Sequence, residues 1–271
     1  MELSEIFGGL PFGFSPFSAV SGSLLDCRAK ERLPKNAQTV ISVLFPYYLG
    51  EDFYKNSNVS RYAVSADYHI ITAGIINSAA ERLRDKFPGF AFEPFVDNSP
   101  LPEVRCAVNA GLGFMGKNSL FINEIYGSWV FLGEIVTDKF FEPYSGAPLS
   151  CSGCMECVWR CPGECIGENG VERERCISFL SQKKGELSEA VVKKMAENDC
   201  AWGCDVCQRV CPHNINARVT PIKEFFETAS PVVSENNGVE GRAFAWRGKE
   251  VIARNIRAIK KYNDGIGRKN R

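Results

Sequence analysis

The run Cys151-Ser-Gly-Cys154-Met-Glu-Cys157-Val-Trp-Arg-Cys161-Pro162, answered further on by Cys204-Asp-Val-Cys207-Gln-Arg-Val-Cys211-Pro212, constrains this chain more than any other feature. Its C-x2-C-x2-C-x3-C-P spacing lets one tight turn present three thiolates to a cubane iron-sulfur core while a fourth reaches across to a second core. A cluster needs several soft, deprotonated ligands converging on it, and few local arrangements supply them from so short a segment. Paired C-x2-C segments also build closed zinc sites. Two zinc ions, however, call for neither the Cys-Pro endings nor the cross-over cysteine, so the runs predict two 4Fe-4S clusters and electron transfer. Disulfides are not expected, because Met1-Glu-Leu-Ser-Glu-Ile lacks the basic start and apolar core of a secretory leader. The expected location is cytoplasmic, where thiols stay reduced and free to bind metal.

With 271 residues, 45% of them hydrophobic, the chain can bury one large domain and a smaller one. It has no long apolar stretch of membrane-spanning length, so no membrane partner is expected. The 32 basic and 32 acidic residues balance but are unevenly placed. Between Gly241 and Arg271, ten basic residues against Glu250 and Asp264 leave a net charge of +8. Such a segment is either a solvated helix or a foothold for phosphate backbones.

Thr39 to Phe45 is a β-branched run closed by Pro46 and reads as a buried strand. Ala66 to Lys86 reads as a long helix, with Ile70, Ile71, Ile75, Ala79 and Leu83 at helical spacing and Pro88-Gly89 closing it. Phe90 to Val96 and Trp129 to Thr137 read as strands and Leu101 to Asn109 as a helix. This alternation predicts an α/β domain. The small-residue stretch Pro143 to Pro148 is the linker candidate, and a helical insert is expected between Leu187 and Glu197. Val251, Ile252, Ile256 and Ile259 predict an amphipathic helix docking by its apolar side. The whole is expected to be α+β: an N-terminal α/β domain (1–142), a two-cluster ferredoxin-like domain (143–220) and a basic helical tail (221–271).

Gly111-Leu-Gly113-Phe-Met-Gly116 spells G-x-G-x-x-G. A dinucleotide fingerprint needs a strand before it and a helix after it. Here a helix precedes it, so the glycines are read as letting the backbone turn sharply and pass close to something bulky.

Several blocks together resemble the epoxyqueuosine reductase family. They are Phe95-Val-Asp97-Asn-Ser-Pro100, then Ala110-Gly-Leu-Gly-Phe-Met-Gly-Lys-Asn118, then Gly127-Ser-Trp-Val-Phe-Leu-Gly-Glu-Ile-Val-Thr-Asp138, and the cysteine runs with Arg175-Cys-Ile-Ser178 between them. Ala66-Asp-Tyr-His69 and Val43-Leu-Phe-Pro46-Tyr47 fit earlier blocks, so the resemblance spans roughly Pro34 to Asn214 in order, and Gly241 to Asn255 is similar to the basic segment that follows the clusters. The resemblance implies a cobalamin-dependent iron-sulfur enzyme that removes the epoxide oxygen of epoxyqueuosine in tRNA, giving queuosine. It implies electrons from an external donor such as flavodoxin or ferredoxin, passed through the clusters to base-off cobalamin. A cobalamin-dependent reductase of a small epoxide or halide, or a non-catalytic electron carrier, is the alternative.

The resemblance also implies that Asp97 is the catalytic acid. Desolvation beside an apolar corrin face would raise its pKa and let it protonate the departing oxygen. Cobalamin contacts are implied at Tyr62, His69, Asp97, Gly113, Gly116, Lys117, Asn118, Phe121 and Ser128, the glycines letting backbone approach the ring. Cluster one would take Cys151, Cys154, Cys157 and Cys211, and cluster two Cys161, Cys204, Cys207 and Cys176. Spacing by itself leaves Cys200 as a rival to Cys176. Cys27, Cys106 and Cys165 read as ordinary spare thiols. Where the family usually carries Arg-Gly-Arg the chain has Val64-Ser65-Ala66, and it stops where typical members continue into a helical-repeat domain that helps hold tRNA. The basic segment is then the expected tRNA contact, separable from the clusters because every expected ligand lies upstream of it.

Overall fold

The computed structural model describes residues 2–269. Arg271 and the side chains of residues 266–269 lie outside the described residues, so Arg268, Lys269 and Arg271 of the basic segment are not placed. The N-terminal part is built on a sheet of β1 (Phe12–Pro16), β2 (Thr39–Pro46), β3 (Phe92–Phe95) and β4 (Val130–Thr137), in the order β1-β2-β4-β3. Every pairing is antiparallel, with Thr39 opposite Thr137 and Phe95 opposite Glu134. Strands and helices do alternate as the sequence predicts, but no two strands of this sheet pair in parallel. Helix α1 (Tyr68–Lys86) does connect β2 to β3, which run in the same direction, but β4 inserts between them and turns both pairings antiparallel. Local periodicity cannot see which later strand fills that gap.

All eight residues of β2 are buried, as its apolar run requires. Helix α1 begins where Asp67 caps it, its side chain accepting from the His69 N–H at 3.0 Å. Its buried side is Thr72, Ile76, Ala79, Ala80 and Leu83, whereas Ile70 stands 72% exposed, contrary to the stripe expected from spacing. The apolar stripe is wide enough to be read one residue out of phase, and tertiary packing selects the phase. Helix α2 (Glu103–Asn109) leads into a short hairpin of Phe114–Met115 against Phe121–Ile122, so the glycine motif opens no helix.

The cysteine segment carries α3 (Ile177–Gln182) and α4 (Glu189–Glu197), and α5 (Lys249–Lys269) packs against both. One buried cluster draws on all three parts of the chain, including Ile41, Trp129, Met195, Trp202, Phe225, Phe244 and Ile252. Backbone and side chains tie the parts directly. Ser60 N–H donates to the Trp202 carbonyl at 2.8 Å, Ala201 N–H to the Asn58 carbonyl at 2.7 Å, and Arg61 N–H to the Asp205 carboxylate at 2.7 Å. The basic segment is thus not a separable tail. Asn255, fully buried, donates to the Ser181 and Ala201 carbonyls at 2.8 and 2.7 Å. Arg242 is buried against the carbonyls of Ala63, Val64 and Ser230, and the half-buried Arg254 donates to those of Lys183, Gly185 and Ser181. Both cations complete the fold and leave Lys249, Arg257, Lys260 and Lys261 exposed in this segment among the described side chains. No helix of the described residues is long and apolar enough to cross a membrane.

Candidate active site and thiol clusters

Asp97 sits just past the end of β3 in a left-handed backbone conformation, φ 56°, with Ser99 N–H donating to its carbonyl at 2.7 Å. Asp tolerates that region better than most residues, and such turns recur where a side chain must be aimed. The first turn of α1 aims two partners at it. His69 Nε2 lies 3.0 Å from Asp97 Oδ2, and the Tyr68 hydroxyl donates to Oδ1 at 3.4 Å. His69 Nδ1 lies 2.6 Å from Asp67 Oδ1, which closes a chain Asp67-His69-Asp97. Burial lowers the His69 pKa, but the hydrogen bonds from Asp67 and Asp97 outweigh it and hold the imidazole above its ordinary value. Tyr68 is braced by stacking on Phe131 of β4, centroids 3.9 Å apart, and on His69 at 4.0 Å.

The Asp97 side chain is 56% exposed, so the protein alone does not provide the burial on which a desolvated acid would depend. The carboxyls that are sealed off are Glu103 and Glu134, which sequence reading missed. Glu103 Oε1 and both Glu134 oxygens are buried without a hydrogen-bond partner. Glu103 is half-buried as a residue, but desolvation and then the charge of Asp97 push its pKa up to about 8. Glu134 is fully buried and raised by desolvation, then by Glu103. Glu103 and Asp97 line one small cavity together. A lone acid inside the buried run Val130–Thr137 was the available signal for Glu134; Glu103 was masked because an acid in a first helical turn has an ordinary reading. Glu103 keeps its proton to about pH 8 when folded but only to about 4.3 unfolded, so its contribution to stability falls as pH rises between those values. Glu103→Gln should equal the unsubstituted protein in urea midpoint near pH 4 and exceed it progressively toward pH 8, by on the order of a few kcal/mol.

Three adjoining cavities surround this chain of groups. One of about 480 Å³ is lined by Tyr62, His69, Asp97, Trp202 and Trp246. Another of about 200 Å³ joins Asp97 and Glu103 to Phe121, Ser128 and Phe131. The third, about 450 Å³, runs from Tyr62, Asn118, Ser128 and Phe131 to Cys161, Cys176, Cys204 and Cys207. Of the residues expected at a cofactor, Tyr62, His69, Asp97, Asn118, Phe121 and Ser128 line these cavities, whereas Gly113, Gly116 and Lys117 do not. The two glycines have a nearer cause. A Cβ on Gly113 would lie 2.7 Å from the Phe121 ring and one on Gly116 2.6 Å from Asn118 Oδ1, so they let the hairpin close on itself. Tyr62 and Ser128 also hold the parts together: Trp202 Nε1 donates to the Tyr62 hydroxyl at 2.7 Å, and Ser128 Oγ accepts from Gln208 and Asn214 at 3.0 and 2.8 Å.

The cluster cysteines gather as two groups. Cys157 feels the charges of Cys151, Cys211 and Cys154, whereas Cys204 and Cys207 feel those of Cys161 and Cys176. Burial, followed by neighbouring charges, pushes the Cys204 thiol up to about 11. Thiolates so placed need a cationic core to offset burial and mutual repulsion. Among the described residues no three such groups converge on one point as ligands of a single ion do. The Cys200 thiol instead donates to the Trp202 and Gly203 carbonyls at 3.2 and 3.5 Å, and it lines a separate cavity on the other side of Cys204. Trp246, which sequence reading did not single out, stands 67% exposed with the Arg247 guanidinium 4.0 Å over its ring.

An antiparallel α and β domain packed on a segment with the cysteine spacing of a double 4Fe-4S domain defines the class, an iron-sulfur protein of two joined parts. The 4Fe-4S double cluster binding domain model matches residues 150–214, and the model described as "Epoxyqueuosine reductase QueG, DUF1730" matches residues 28–98. The epoxyqueuosine reductase of Lactococcus garvieae is 32% identical over 252 residues, 86% of this chain and 71% of that protein. The chain belongs to the epoxyqueuosine reductase family. It spans between 46% and 71% of the length of these curated relatives. A crystal structure of epoxyqueuosine reductase with an epoxyqueuosine-modified tRNA-Tyr stem loop shares the fold at TM-score 0.76 and 23% identity, covering 96% of this chain and 80% of that one. The enzyme from Bacillus subtilis, in a state with its catalytic aspartate loop swung out of the active site, gives the same four values.

Proposed function

We propose that this chain reduces the epoxide of epoxyqueuosine in tRNA to the alkene of queuosine, using two 4Fe-4S clusters and cobalamin. The observation that carries this reading is the placement of Asp97, aimed by His69 and Tyr68, on a cavity that shares Ser128, Val130 and Phe131 with the one lined by the second thiol group. A cofactor spanning the two would lie between the electron source and the acid. The walls suit a corrin. Tyr62, Leu120, Val130 and Phe131 offer flat and apolar surface, while Ser60, Asn118 and Ser128 offer hydrogen bonds to amide arms. When bound, cobalamin supplies a strongly reducing metal centre. The first thiol group opens to the surface, with Cys154 exposed and Trp159 70% exposed, which suits electron entry from an external donor such as flavodoxin or ferredoxin.

The reaction consumes two electrons and two protons and releases water. Asp97 donates a proton to the departing oxygen, and His69, held charged by its two carboxylates, reloads it. Trp246 lies on the wall of the same cavity as Asp97, and its indole suits stacking of a flat base. The relative crystallised with the modified stem loop supports tRNA as the substrate carrier. Anaerobic reconstitution with iron, sulfide and cobalamin should yield about eight iron and eight sulfide per chain and convert epoxyqueuosine-tRNA to queuosine-tRNA by nucleoside mass spectrometry. A fully loaded protein that forms no queuosine from tRNA or nucleoside overturns the reading.

Lys260 and Lys261 are exposed on α5 and free of structural duty in the core. Lys260→Glu with Lys261→Glu should weaken tRNA binding and flatten its salt dependence by about 0.9 in log-log slope for each lost phosphate contact. Unchanged slope would remove this helix face from the RNA contact.

A further inference from the structure

The second thiol group contains one sulfur more than a cubane cluster takes. Cys165 lines the same cavity as Cys161, Cys176, Cys204 and Cys207 and is 3% exposed. Its Sγ is 3.4 Å from that of Cys161, and it belongs to a buried cluster against which Cys161, Cys176 and Cys207 all pack. A sulfur so placed borders the core that these ligands would hold. Its place is built by the backbone. Glu164 N–H donates to the Cys161 carbonyl at 3.0 Å, Glu172 N–H donates to the Cys165 carbonyl at 2.7 Å, and Glu164 takes the left-handed conformation that tightens the turn, φ 47°. Gly163 lets this turn lie on the strand of chain bearing Cys176, since an added Cβ would come within 3.2 Å of the Arg175 carbonyl carbon. Nothing comparable brings Cys200 there, because its thiol is committed to two carbonyls outside the cavity lining.

We propose that Cys165 is a reserve ligand of the second cluster, able to bind the iron that Cys176 holds when Cys176 is lost or withdraws. This inference rests on the cluster reading above. The exchange moves no electrons: Cys165 loses its proton as its sulfur bonds to iron, and the released Cys176 thiolate takes one up. Cys176 is the ligand most in need of cover, for it comes from outside both runs, after the turn Arg173–Arg175 and at the start of α3.

The test is iron and sulfide per chain after anaerobic reconstitution, with the reduced EPR spectrum, for four proteins. With four ligands alone, Cys176→Ala would fall to about four iron. A reserve ligand instead keeps Cys176→Ala and Cys165→Ser each near eight, while the double variant falls to about four and loses the second cluster signal. Circular dichroism and the surviving first-cluster signal show that the double variant is folded. Cys176→Ala at about four iron with Cys165 intact, or a double variant still near eight, overturns the proposal. Zinc without sulfide in the unsubstituted protein would instead sink the cluster reading beneath it.

Discussion

Asp97→Asn is expected to lower kcat for epoxyqueuosine reduction by about 10²- to 10⁴-fold, the usual contribution of a positioned general acid. Iron and sulfide content should not change, because Asp97 is outside both thiol groups, and corrinoid should be retained because the amide has the size and shape of the carboxyl. The amide keeps an oxygen for the Tyr68 hydroxyl but cannot deliver a proton, and it breaks the chain in which His69 stands between two carboxylates. Single-turnover assays of loaded protein check this. Turnover within a few-fold of the unsubstituted protein would take Asp97 out of the chemistry and shift attention to Glu103, whose carboxyl lies behind it.

Removing everything after Asn237 is expected to abolish folding rather than to trim an RNA contact. The cut deletes Phe244, Val251, Ile252 and Ile259 from the core, each at most 9% exposed. Burial of such side chains contributes roughly 1.5–3 kcal/mol apiece, and a whole domain is stable by only about 5–15 kcal/mol. The cut also strips Asn255 and Arg242 from carbonyls that would then be left unpaired. Circular dichroism and cluster content of the shortened chain check the expectation. A soluble, fully loaded product would show α5 to be an appendage.

The cysteine runs were legible because cluster ligation is largely local: three thiolates from one turn follow from spacing, and the strands and helices follow from runs a few residues long. Asp97 and His69 were legible only through a resemblance, since a turn before Pro100 and a capped helix start look ordinary by themselves, and Tyr68 was not singled out at all. Spacing could not separate Cys176 from Cys200; packing puts Cys176 on the cavity that Cys204 and Cys207 line and bonds the Cys200 thiol to two carbonyls. Packing likewise decided that β4 would separate β2 from β3, that carboxyl oxygens of Glu103 and Glu134 would be buried without partners near Asp97, and that Cys165 would meet the Cys161 sulfur. It also took Arg242 and Arg254 out of a basic segment whose charge had suggested a free tail. Spacing and residue type determine what a stretch of chain can ligate or cap. Burial, and with it protonation and the meeting of groups distant in sequence, exists only once the chain has closed around them.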